Sequence, residues 1–100
     1  MSSTATPMHV EKLMSLSRAE FESSLAALAG ADVALVDGVA RIDEAAGRIA
    51  ITFHALPPKR FGGLLLLPQA RVTLDVTGLD EAAAVAFLQR FDLAFQRGGG

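Results

Sequence analysis

Apolar residues in the first third of the chain recur at helical spacing. Phe21, Leu25 and Leu28 fall on one stripe, with charged and small residues between them. Ser17 precedes the stripe and Glu20 follows three residues later, the spacing at which each side chain satisfies the other's unpaired backbone N–H. Leu16 and Phe21 flank this box as a hydrophobic staple, and Gly30 supplies a left-handed stop. The pattern predicts a helix over 18–29. A second stripe, Ala84, Phe87, Leu88, Phe91 and Phe95, predicts a helix over about 79–95, capped by Thr77 or Asp80 and ended by "QRGGG".

Between the helices the period changes from 3.6 to 2. In "ADVALVDGVARIDEAAGRIAITFHAL" the Asp37-Gly38 dipeptide sits between β-rich runs, where a type I′ turn needs positive φ at both positions. With a second loop at "EAAG", 44–47, the registers pair Leu35 with Ala40, Val33 with Ile42, Ile42 with Ile49, and Ala40 with Ile51. All the larger apolar partners, Phe53 included, then share one face, which a one-residue slip would scatter. A bulge at Asp37-Gly38 in one long strand is the alternative. Val72, Leu74 and Val76 alternate with Arg71, Thr73 and Asp75 in a further strand, 71–77. Leu64–Leu67 is either a short strand leading into it or irregular core. Pro68-Gln69 makes a poor two-residue turn because proline cannot take positive φ.

The expected class is α+β: an antiparallel three- to four-stranded meander with two helices on one face, in the order α-β-β-β-(β)-α. One domain, 16–96, is expected between flexible tails at 1–15 and 97–100, since 100 residues make one core.

Composition narrows function by exclusion. With 51% hydrophobic and 20% charged residues the chain is built to fold and stay soluble. A net charge of -2 gives no general attraction for nucleic acid or anionic membranes, and neither is expected as a partner. Cysteine is absent, which removes disulfides and thiolate chemistry. The N-terminus lacks the pattern of a signal peptide, and no apolar run approaches the ~20 residues of a membrane span, so the cytoplasm is the expected compartment. Arginine over lysine and abundant alanine suggest a GC-rich bacterial gene. The helix–three-strand–helix order resembles that of double-stranded-RNA-binding domains in topology, but those need a basic first turn on the second helix. Here that turn is "TGLDEAAA". Single-strand binding needs aromatic platforms, and the chain has no Trp or Tyr.

One stretch looks chosen for something other than packing: "HALPPKRFGG", 54–63. Pro57 and Pro58 cannot continue a hydrogen-bonded ladder, so the piece is expected to leave the sheet as a stiff arm displaying Lys59 and Arg60. Gly62-Gly63 lets the chain return. A plain crossover is the bland reading. The sharper reading is a recognition element, since a pre-ordered loop loses less entropy on meeting a partner. Outward-pointing leucines, with Ala34, Val36, Val39 and Ala50, would add an apolar patch on the second sheet face. The expected function is therefore a non-catalytic protein-interaction module, with a second copy of the chain among its candidate partners. Lys59, Arg60, Phe61, Leu64 and Leu66 are the candidate contact residues. The alternative is a small-ligand domain holding an anionic metabolite through Arg41, Arg48, His54 and Arg71 on the open sheet face. No cofactor, metal site or catalytic set is expected. His9 and His54 have no acidic neighbours at ligand spacing, and no serine sits on a nucleophile elbow.

Overall fold

Ser17 caps α1 (Arg18–Ala29) reciprocally: its hydroxyl accepts from the Glu20 amide at 3.2 Å, and its own amide donates to the Glu20 carboxylate at 2.7 Å. Gly30 closes the helix at φ 78°, its N–H donating to the Ala26 carbonyl. The structure, a computed structural model, describes residues 7–44 and 47–99. Its elements run β1 (Met8–Met14), α1, β2 (Val39–Glu44), β3 (Gly47–Phe61), β4 (Leu65–Thr77) and α2 (Glu81–Gly99). The strands form one open antiparallel sheet in the order β1-β4-β3-β2.

The fold is α+β, and the inward set on the strands is as the alternation requires. Ala40, Ile42, Ile49, Ile51, Ala70, Val72, Leu74 and Val76 are buried in one cluster with Phe21, Leu25 and Leu28 of α1 and Ala84, Phe87, Phe91 and Phe95 of α2. Both helices therefore lie on the same face of the sheet. Phe21 sits between the layers, its ring centroid 4.9 Å from that of Phe53 and 5.6 Å from that of Phe95; Phe95 stacks on Phe91 at 4.1 Å. Asp80 caps α2, its carboxylate accepting from the Ala83 amide at 2.8 Å. No helix among the described residues is long and apolar enough to cross a membrane.

Asp37 and Gly38 both take positive φ, 53° and 78°, and Val36 bridges Val39 across them, so this is a type I′ turn rather than a bulge. Ile42 pairs with Ile49 and Ala40 with Ile51; the loop residues 45–46 lie outside the described residues. The expected strand before Asp37 does not form beyond that single bridge, and Leu35 and Val33 do not pair with Ala40 and Ile42. Residues 31–35 must carry the chain from the helix layer to the sheet edge. Val33 and Leu35 pack partly buried on the core instead.

The fourth strand comes from a different place. Met8–Met14, expected within a flexible tail, is β1, paired with β4 from Met8↔Val76 to Met14↔Ala70. Its inward positions are Met8, Val10, Lys12 and Met14. The charge at Lys12 breaks the alternation that would have announced a strand. Its long stem lets the ammonium reach Asp92 of α2 at 3.1 Å while the methylenes stay against the sheet. Residues 1–6 of the expected tail lie outside the described residues. At the other end α2 continues to Gly99, so the expected 97–100 tail begins inside the helix, and Gly100 lies outside the described residues.

Candidate functional site

β3 and β4 are far longer than their neighbours. β1 stops at Met14 opposite Ala70, where the chain turns to bury Leu16 and start α1. On the other side β2 ends its pairing at Val39 opposite Thr52, with one further bond from the Phe53 amide to the Gly38 carbonyl. From Leu56 and Gln69 outward no other described strand pairs with β3 or β4, and no residue between 56 and 69 is buried. The result is a two-stranded arm. The molecule measures 58 × 24 × 23 Å, with a radius of gyration of 14.6 Å against about 13 Å for a compact chain of this length.

Pro57 and Pro58 lie inside this arm, not in a loop. The ladder runs Leu56↔Gln69 and then Lys59↔Leu67, so β3 advances three residues while β4 advances two. This bulge is how the prolines are accommodated, because neither has an N–H to give the ladder. The expectation that the prolines would take the chain out of the sheet is thus corrected: strand pairing resumes beyond them. Leu65–Leu67 belong to β4, Leu64 to the turn, and Pro68-Gln69 to the strand. Gly62 and Gly63 make the turn at φ 61° and 79°.

Along β4 the buried residues are even-numbered, which places Leu66 and Pro68 on the helix side of the arm and Leu65 and Leu67 on the open side. Arg60 pairs with Leu66, Phe61 with Leu65, and Lys59 with Leu67. Each face of the arm thus carries leucine beside a cation. Lys59 sits 5.4 Å from the Phe61 ring centroid, and Arg60 donates to the Gly63 carbonyl at 3.4 Å. Leu64 is 99% exposed, and Phe61, Leu65 and Leu66 are each about half exposed. The five residues expected to meet a partner, Lys59, Arg60, Phe61, Leu64 and Leu66, are gathered at one tip.

The open face of the sheet is different in kind. Its rungs read His9, Asp75, Ala50, Arg41; then Glu11, Thr73, Thr52, Val39; then Leu13, Arg71, His54. Of the expected anion-binding set, only His54 and Arg71 stand opposite each other. Arg48 lies six residues from His54 along β3, about 20 Å at ~3.3 Å per residue, and pairs with Asp43 at 3.0 Å. Arg41 stands opposite Ala50. Ala50 and Val39 are hemmed in by polar neighbours, and Ala34 is not in the sheet, so these residues do not form the expected apolar patch. Exposed apolar area lies instead along the arm and at Leu13, 76% exposed at the end of this face by the arm's base.

The strand missed in the sequence brought two groups with it. His9 Nδ1 lies 2.6 Å from Asp75 Oδ1, and Nε2 lies 3.6 Å from Glu11. The hydrogen bond to Asp75 raises the His9 pKa; desolvation opposes it, and the charge of Asp75 with the hydrogen bond and charge of Glu11 add to the rise. Lys12 and Asp92, with Leu13, Met14 and Gln96, line a cleft of about 470 Å³ between β1 and α2. A smaller cleft of about 250 Å³ lies between the helices, lined by Ala27, Leu28, Arg90, Leu93 and Ala94. Among the described residues no three His, Asp or Glu are grouped to hold a metal ion. Compared with protein-family models, curated proteins and solved structures, the chain matches none.

Proposed function

We propose that this chain is a non-catalytic protein-docking module and that the β3–β4 arm is its contact element. The observation that carries the reading is the concentration of uncovered apolar side chains, Phe61 and Leu64–Leu66, at the end of an arm that extends past the other described strands. A lone hairpin is marginal in water. This one grows out of a four-stranded sheet, so its base is held and its tip is presented with part of the ordering entropy already spent. An aromatic and several leucines ringed by Lys59 and Arg60 have the composition of a buried contact with a charged rim. The anionic-ligand alternative has less behind it, since its four residues spread over about 20 Å along the sheet instead of converging.

A photo-cross-linking residue placed at Leu64, compared in living cells with one at Thr52 on the open sheet face, tests the arm. Protein adducts at Leu64 and few at Thr52 are expected. Adducts confined to Thr52 would move the contact to the sheet face, and adducts at neither would sink the docking reading.

A further inference from the structure

We infer that the arm's partner is a second copy of this chain, the arm tip of each protomer seating in the cleft between β1 and α2 of the other. The inference rests on the reading of the arm as a docking element. Three features of the molecule carry it.

The first is complementarity of shape and polarity. The tip is apolar and projects, and the cleft beside Met14 is lined by Met14, the edge of Leu13, Gln96 and the paired Lys12 and Asp92. Leu13 is the most exposed large apolar residue outside the arm. The second is charge. Residues 54–74 hold Lys59, Arg60 and Arg71 and no acid, which leaves the other six of nine cations against all eleven acids of the chain. The arm is thus attracted to a body like its own, and Arg60 and Lys59 would meet Asp92 at the cleft rim. Asp92 is more than half exposed even while paired with Lys12.

The third is geometry. The cleft lies at the base of the arm, where Met14 makes the last rung to Ala70 and the Ser15 hydroxyl donates to the Pro68 carbonyl at 3.1 Å. From Gln69 at the base to Leu65 near the tip is about 13 Å at ~3.3 Å per residue. A two-fold axis through the middle of two antiparallel arms places each tip at the other's base, whatever that length is. Such a contact is isologous and closes on itself. Arm and cleft together offer about twenty residues a side, the size at which a stable interface of about 800 Å² per partner forms; the four apolar tip residues alone fall well short of it.

Light scattering of the full-length chain across a wide range of concentration tests this, with circular dichroism to confirm folding of every variant. The parent is expected to be a dimer, and Leu64→Asp/Leu66→Asp a folded monomer. Arg60→Glu and Asp92→Arg should each weaken the dimer about tenfold. Combining them should restore it, an outcome that a merely disturbed fold would not give. A parent that stays monomeric overturns the inference, as does a dimer indifferent to the leucine substitutions or a double variant no tighter than the single ones. A monomer that instead sediments with phosphatidylserine vesicles, and loses this with Leu64→Asp, would assign the tip to a lipid surface. If the parent is monomeric while Leu64 still cross-links to another protein, the second-copy assignment fails and the docking reading stands.

Discussion

Gly47 opens β3 with no room for a side chain: a Cβ built there would come 2.5 Å from the Thr77 carbonyl oxygen and 2.7 Å from Leu79. The neighbour is backbone held by β4, so it cannot swing away. Gly47→Ala is expected to lose roughly 1–3 kcal/mol in chemical denaturation. Ser24 shows the opposite opportunity. The residue is 3% exposed, on the helix face that α1 turns to the core, and its hydroxyl has no hydrogen-bond partner among the described residues. Removing that uncompensated group by Ser24→Ala should raise stability by about 1 kcal/mol, read in the same experiment. His9 adds a pH dependence. Its raised pKa means that the native state holds the proton more tightly than the unfolded chain. Its contribution is fully present below the unfolded histidine value of 6.5 and fades as pH rises through the higher native value. NMR titration of the His9 ring should therefore give a midpoint above 6.5, and Asp75→Asn should bring it down. Arg41, on the same rung but three strands away, is the nearest cation on that row and lies beyond Asp75 and Ala50.

The elements differ in how plainly the sequence announces them. α1 was readable to the residue because a capping box, a stripe and a terminal glycine all point the same way. β2 and the first half of β3 were readable because two turns demand one register and the register puts every large residue on one side. β1 was not, because Lys12 takes an inward position and Leu13 an outward one, the reverse of what alternation rewards. Only the partner strand and Asp92, both distant in sequence, make that arrangement stable. The arm was half legible. Two prolines signal an interruption, and the bulge that absorbs them is a property of the strand pair that neither strand shows alone. Since the arm's leucines make no core, Leu64→Asp/Leu66→Asp should leave unfolding free energy within about 0.5 kcal/mol of the parent, measured below the concentration of any association. A larger loss would mean that the arm tip is structural.

At the scale of the whole molecule, one layer of helices on one face of the sheet leaves two surfaces of different character. The open face is a lattice of charged and polar rungs, with His9–Asp75 and Arg48–Asp43 already paired. The arm is where apolar area is left over. The sequence told which residues would be exposed together near 59–66, because that segment holds no acid and no helical or regular strand period to bury it. It could not show that the open sheet face would be polar. That depended on β1 bringing His9 and Glu11 alongside β4, and on Ala34 and Val36 failing to extend the sheet.

The bulge at Pro57-Pro58, with Pro68 on the facing strand, has a consequence for the protein in bulk. Leucine-rich strands with free edges are templates for cross-β growth, in which each added chain pairs its amides with the one below. Three imino positions in an arm of two short strands break the run of amides that a stacking chain would need. The arm's free edges are therefore poor templates for fibres. Replacing all three prolines by valine should give thioflavin-positive fibrils from a chain whose helices and sheet core are otherwise intact, while the parent stays clear.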